Sequence, residues 1–103
     1  MKMTDIKRTA IVTGGSSGIG LAIAERFVAS DIHTIIIGRD KTKLKAAKKK
    51  LGDLCHPVSF DLKRLAAIPS LVKKIIQQYG HIDILVNNAG INMKKEFLDV
   101  TDE

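Results

Sequence analysis

Thr13-Gly14-Gly15-Ser16-Ser17-Gly18-Ile19-Gly20 is the stretch on which the fold turns. Four of its eight residues are glycine, so the backbone can turn tightly and another group can approach the main chain closely. Immediately before it, Thr9-Ala10-Ile11-Val12-Thr13 is short, apolar and β-branched, which predicts a buried strand. Immediately after it, Ile19, Ala22, Ile23 and Phe27 recur at helical spacing as far as about Ser30. Strand, glycine turn and helix follow without a break. The first N–H groups of that helix are unpaired, and its dipole turns a positive end toward the loop. Those are the requirements of a pyrophosphate site. A bare strand-to-helix connection is the competing reading. The spacing is G-x-x-x-G-x-G rather than G-x-G-x-x-G, and the Gly-Lys-Ser/Thr of a mononucleotide loop is missing.

The alternation continues outward from the loop. His33–Gly38 reads as a second buried strand. Asp40 reads as the cap of a helix over Lys41–Leu51, with Leu44, Ala47 and Leu51 on one stripe and Gly52 as its stop. His56–Phe60 reads as a third strand, with Pro57 near its start, where a missing donor is tolerated. The next helix has its firm start at Pro69 after a loose turn from Lys63, carries Val72, Ile75, Ile76 and Tyr79, and ends at Gly80. Asp83–Asn87 is the fourth strand. Apolar strands alternating with helices through short connections predict the α/β class, a doubly wound parallel sheet of strand order 3-2-1-4. A ligand crevice is expected at the carboxyl ends of the strands, at the switch point between strands 1 and 4.

Composition removes several classes. The chain has 103 residues, 45% hydrophobic and 27% charged, which suits a globular fold and not a disordered one. Its single cysteine, Cys55, excludes a disulfide scaffold within the chain. No apolar run is long enough to span a bilayer. The short Ala10–Val12 run after Lys2, Lys7 and Arg8 does not make a signal peptide. A reduced, soluble, cytoplasmic protein without a membrane partner is expected. The net charge of +6 comes largely from six lysines at 41, 43, 45, 48, 49 and 50. No aromatic residue is interleaved with them, so a solvated helix face is expected rather than a nucleic-acid surface. His33, His56 and His81 show no metal-ligand spacing and are read as structural.

Three further segments carry chemistry. In dinucleotide sites an acid about 20 residues past the glycine loop holds the ribose 2′-OH. That slot falls at Gly38, and Arg39 follows it. A glycine leaves room there, and a guanidinium suits a 2′-phosphate, which favours NADP over NAD. Asp40 is either the ribose acid one or two residues late or a helix cap, and is read as the cap. Asp61-Leu62 ends strand 3 at the same edge. Its carboxylate either accepts from an adenine amino group, with the leucine packing the ring, or caps the next turn. Asn87-Asn88-Ala89-Gly90 follows strand 4, where small residues let a sugar or ring lie against the backbone, unless the four form only a turn.

Together T-G-G-S-S-G-I-G, G-R after strand 2, D-L after strand 3 and N-N-A-G after strand 4 resemble the N-terminal half of a short-chain dehydrogenase/reductase, from about Thr9 to Glu103. The resemblance implies a Rossmann domain of seven parallel strands. Residues 1–103 would then form its NADP-binding portion, a single incomplete domain truncated after the fourth strand. It implies carbonyl–alcohol interconversion with NAD(P)(H) on a small-molecule substrate. By matching position, Gly14, Ser16, Ser17, Gly18, Ile19 and Gly20 would line the phosphates, and Arg39 would meet the 2′-phosphate. Asp61 and Leu62 would meet the adenine, and Asn88, Ala89 and Gly90 the nicotinamide-side ribose. NADP-preferring relatives often carry a basic residue where Ser17 stands, so the preference rests mainly on Arg39. The family's catalytic group is a tyrosine with a lysine four residues later, helped by an upstream serine and an asparagine. The sole tyrosine here, Tyr79, has Asp83 in that place, so no catalytic residue is assigned and the chain alone is expected to be inactive. Thr101-Asp102-Glu103 reads as the opening of a fourth helix, so a homo-oligomer or further chain is expected to cover the edge of strand 4. The alternative is a non-catalytic dinucleotide-binding or partner-binding remnant.

Overall fold

Among the described residues, four parallel strands, β1 (Thr9–Thr13), β2 (His33–Gly38), β3 (Cys55–Ser59) and β4 (Ile84–Asn87), form one sheet in the order β3-β2-β1-β4. Helices α1 (Gly18–Ala29), α2 (Lys41–Leu51) and α3 (Ile68–Tyr79) make the crossovers. This computed structural model describes residues 7–88. Ala89, Gly90 and the expected helix start at Thr101 lie outside them.

Alternation along each strand divides the core in two. Ile11, Ile35 and Ile37 point to one face and pack with Leu62, Ile68, Leu71 and Ile75, so α3 covers that side. Val12, Ile36 and Cys55 point to the other, where Ala24 of α1 and Leu44 and Ala47 of α2 close over them. Both faces of β1 and β2 are buried, which is why their apolar residues run consecutively, Ala10-Ile11-Val12 and Ile35-Ile36-Ile37, and do not fall at every second position. Each fully buried isoleucine contributes about 1.5–3 kcal/mol by leaving water.

The element boundaries depart from expectation at four places, each for a local reason. Helix α1 starts at Gly18, and its buried face is Gly20 and Ala24 flanked by Leu21, Ile23, Phe27 and Val28. Ile19 and Ala22 belong to the outer face instead, Ile19 being 73% exposed, because the close approach of α1 to the sheet admits only small residues at its centre. Strand β3 is one residue earlier than His56–Phe60, since Cys55 pairs with Thr34 and Ser59 with Gly38. Phe60 follows the last pair, its N–H donating to Gly38 O at 2.9 Å. Helix α3 begins at Ile68 with Pro69 in its first turn, after a 3₁₀ turn at Leu65–Ala67. Asp83 stands just before β4. Its N–H donates to Thr9 O at 2.8 Å while its own carboxylate accepts from Thr9 N–H at 2.8 Å, so a side chain replaces the next rung of the ladder.

Candidate functional site

The carboxyl ends of the strands are knitted together around the glycine loop. Gly14 N–H donates to Ile37 O at 2.8 Å, which carries the β1–β2 ladder one residue into the loop. On the other side Asn88 N–H donates to the buried Thr13 hydroxyl at 2.8 Å, and the Asn88 amide reaches Gly14 O at 3.4 Å. The Thr13 hydroxyl in turn lies 3.3 Å from Val86 O and 3.4 Å from Asn87 Oδ1. The end of β4 is thereby tied to the loop that follows β1.

The loop is built to bring main chain close to main chain. A Cβ on Gly20 would sit 2.1 Å from Gly14 O and 2.6 Å from the Asn88 amide nitrogen, so only glycine lets the first turn of α1 nest under the loop. Gly18 has φ +58°, with nothing within 4 Å of where a Cβ would be. Ser17 is the N-cap in extended conformation, yet its hydroxyl makes no capping bond. The first bond of the helix runs from Leu21 N–H to Ser17 O at 3.2 Å. The N–H groups of Gly18, Ile19 and Gly20 therefore have no acceptor one turn back, and among the described residues no side chain substitutes for one.

A cleft of about 480 Å³ opens at this end of the sheet. The glycine loop contributes Gly14, Ser16 and Ser17, and the end of β2 contributes Gly38, Arg39 and Asp40. Phe60, Asp61, Leu62 and Lys63 close it beyond β3, Lys43 comes from the first turn of α2, and Asn88 lies on the β4 side. Seven residues singled out from the sequence thus meet on one surface: Gly14, Ser16, Ser17, Arg39, Asp61, Leu62 and Asn88. Gly18 and Ile19 start the adjoining helix without lining the cleft, and Gly20 lies beneath the loop. Ala89 and Gly90 fall outside the described residues.

Two open readings gain geometry. Asp40 Oδ1 accepts from Thr42 N–H at 3.0 Å and Lys43 N–H at 3.2 Å, so it caps α2 as expected. Asp61 Oδ1 accepts from Lys63 N–H at 3.0 Å, and Asp61 O accepts from Arg64 N–H at 2.9 Å. Its carboxylate therefore holds the turn and also borders the cleft. Lys43, Phe60, Lys63 and Thr13 were not legible as site residues. The signal for Lys43 was its place three residues beyond the cap, on the turn that faces the end of β2. With Arg39, Lys43 and Lys63 against Asp40 and Asp61, positive side chains outnumber negative ones around the cleft.

At the opposite end of the sheet, about 16 Å away by the rise of β2, lies an aromatic cluster. His33 Nδ1 and His56 Nε2 are 2.9 Å apart, and the Tyr79 ring packs 5.8 Å from His33 and 5.0 Å from His56. Burial, reinforced by His33 and Lys48, pushes the His56 pKa below its ordinary value, and burial pushes the Tyr79 phenol up. Tyr79 is thus a packing residue that holds its proton. Sequence spacing concealed the pair, because only the β2–β3 register brings positions 33 and 56 together. Among the described residues no three His, Cys, Asp or Glu side chains converge on a metal position, and no helix is long and apolar enough to cross a membrane.

Known proteins resemble this chain in sequence and fold. The chain is 40% identical over 89 residues to the mouse peroxisomal 2,4-dienoyl-CoA reductase, covering 82% of this chain and 30% of the reductase. It is 34% identical over 93 residues to an uncharacterized oxidoreductase of Staphylococcus epidermidis, covering 90% of this chain and 40% of that protein. The chain spans about a third of the length of these relatives. Among solved structures, a short chain dehydrogenase from Bacillus anthracis matches with a TM-score of 0.77 and 36% identity, over 82% of this chain and 35% of that one. A metagenomic short-chain oxidoreductase in complex with NADP matches with a TM-score of 0.77 and 33% identity, over 82% of this chain and 39% of that one. The short chain dehydrogenase profile runs from residue 8 to residue 103, and with so much of the sequence matched the chain belongs to the short chain dehydrogenase family.

Proposed function

We propose that this chain is the cofactor-binding part of an NADP(H)-dependent oxidoreductase that interconverts a small-molecule carbonyl and alcohol. The observation that carries the reading is the meeting of Arg39 with the Ser16–Ser17 loop on one cleft, next to a helix start whose N–H groups are uncapped. The donor set suits a phosphorylated dinucleotide. Ser16, Ser17 and the first amides of α1 face the diphosphate, and the positive end of the helix dipole adds to them. Arg39 takes the 2′-phosphate as a planar fork, with Lys43 beside it as a second cation in place of the basic residue that Ser17 does not supply. Gly38 keeps that corner open, since a Cβ there would already lie 3.3 Å from the Ser16 hydroxyl. Asp61 accepts from the adenine amino group, and Leu62 and Phe60 give the ring an apolar wall. A relative's complex with NADP agrees with this assignment.

A nicotinamide held here would supply or accept the hydride, with Asn88 at its ribose and the Thr13 hydroxyl fixing Asn88 in place. Proton transfer to the substrate oxygen falls to residues other than Tyr79, which sits at the wrong end of the sheet. The 103 residues by themselves therefore bind cofactor without turnover, and turnover of any carbonyl by this chain would overturn that part. The other lysines of α2, Lys41, Lys45, Lys49 and Lys50, serve solubility rather than nucleic-acid binding.

The test is titration of the full chain with NADPH and NADH, followed by the cofactor's own fluorescence. Wild type should prefer NADPH. Charge-assisted bonds to a phosphate are worth about 1.5–3 kcal/mol, so Arg39→Ala should shrink the preference about 10- to 150-fold while leaving NADH affinity nearly unchanged. An equal preference in wild type, or an unaltered ratio in Arg39→Ala, would overturn the NADP assignment.

A further inference from the structure

Helix α3 crosses from β3 to β4, so it settles over Ile11 of β1 and Ile35 and Ile37 of β2 and leaves the outer strand of the sheet incompletely covered. A groove of about 590 Å³ results between β3, the turn before α3 and the inner side of α3. It is larger than the cleft at the carboxyl ends and shares only Phe60 with it.

The chemistry of this groove is one-sided. Lys48, Arg64 and Lys74 border it, and none of its sixteen lining residues is an aspartate or glutamate. Among the described residues, Lys7 pairs with Asp31 and His81 Nε2 lies 3.0 Å from Asp83, and no carboxylate engages these three cations. The Lys48 ammonium is fixed in place by Gly52 O at 3.1 Å and Cys55 O at 2.9 Å, which uses two of its three protons. Arg64 and Lys74 are exposed at the rim. Between the cations the wall is apolar, made by Val58 of β3 and by Leu71 and Ile75 of α3. Three unneutralised cations around an apolar trough match a ligand with one negative group and a hydrocarbon body, and ligand pockets are commonly about 300–1,000 Å³.

We propose that the β3–α3 groove is a second binding site, for an amphiphilic organic anion with a carboxylate or phosphate-type head and an apolar chain or ring. The head lies between Arg64 and Lys74, the two exposed cations of the rim. The apolar part lies along Val58, Leu71 and Ile75. This site is independent of the dinucleotide reading.

Decanoate is the probe, titrated into the full chain by amide NMR with decanol and inorganic phosphate in parallel. Decanoate should shift the amides of Val58, Ser59, Ser70 and Lys74 while leaving those of Ser16 and Arg39 in place. Decanol and phosphate should each bind at least tenfold more weakly than decanoate. The double variant Arg64→Gln/Lys74→Gln replaces two exposed side chains and should keep the fold by circular dichroism while losing decanoate affinity at least tenfold. Lys63→Gln, a cation of the other cleft, should leave decanoate affinity unchanged. The proposal is overturned if decanoate fails to bind at millimolar concentration or if decanol or phosphate matches it. Shifts at Ser16 and Arg39 instead, or wild-type affinity in the folded double variant, overturn it too. So does an acidic peptide that binds the groove when decanoate does not.

Discussion

Gly20→Ala tests the close packing that shapes the loop. The new Cβ would lie 2.1 Å from Gly14 O, whereas real Cβ atoms essentially never come nearer than 3.0 Å, so loop or helix must yield by about 0.9 Å. The loop resists at both sides, through Gly14 N–H on Ile37 O and the Asn88 amide on Gly14 O. Overpacking of this kind costs about 1–3 kcal/mol, and the crowded atom being backbone puts this case at the upper end. Replacing a helical glycine by alanine returns about 0.5–1 kcal/mol. The net loss is about 2 kcal/mol. With a urea dependence of about 1.5 kcal/mol/M, the unfolding midpoint should fall by about 1.3 M. Far-UV circular dichroism is the readout, since the chain has no tryptophan. Gly18 separates crowding from conformation. Its position has φ +58° and open space, so Gly18→Ala should cost about 1–2 kcal/mol through backbone strain and Gly18→Asn should recover much of that. Gly20→Asn should recover nothing. A Gly20→Ala midpoint within about 0.3 M of wild type, on that same dependence, would refute the packing argument.

Asp40→Ala should destabilise by about 1 kcal/mol in urea unfolding through loss of the α2 cap, whereas Asp40→Asn should cost only a few tenths. An Asp40→Asn variant whose stability holds but whose NADH affinity collapses would instead make Asp40 a ribose ligand. For His56 the folded pKa is depressed below the ordinary 6.5, so the unfolded chain binds more protons in that range. Its stabilising share is complete above pH 6.5 and is lost as pH falls through the lowered folded value. Urea midpoints measured from pH 7.5 to pH 5 should decline, and His56→Gln should flatten the decline; an identical slope in the variant would count against the pair. Burial pushes the Cys55 thiol up, against the opposing pull of Lys48, so iodoacetamide should label it far more slowly in native buffer than in urea. Equal rates would mean that β3 is open in the folded state.

The architecture was legible because its causes are local in sequence. Apolar runs at Thr9–Thr13 and His33–Gly38 announce strands buried on both faces, and handedness then allows few sheet orders. Arg39, Asp61 and Asn88 were findable because each lies within two residues of a strand's end, at the edge where a doubly wound sheet binds. What escaped depends on contacts across the fold. On α1, Ile23 and Phe27 pack as expected, but Ile19 and Ala22 face outward because the approach of α1 to the sheet is set by Gly20 against Gly14. The His33–His56 pair needed the β2–β3 register, and the replacement of a ladder bond by the Asp83 carboxylate needed β1 beside it. Lys43 and Lys63 reach the cleft from helix and turn positions that read as ordinary surface lysines.

The central claim is that the uncapped start of α1 and the end of β2 hold one phosphorylated dinucleotide between them. Amide NMR of the full chain titrated with NADP⁺ tests this most directly. The account predicts saturable shifts at Gly14, Ser16, Ser17, Gly18, Ile19 and Arg39, with His56 and Tyr79 unmoved. Shifts confined to the β3–α3 groove, or none at the loop under saturating NADP⁺, would contradict it.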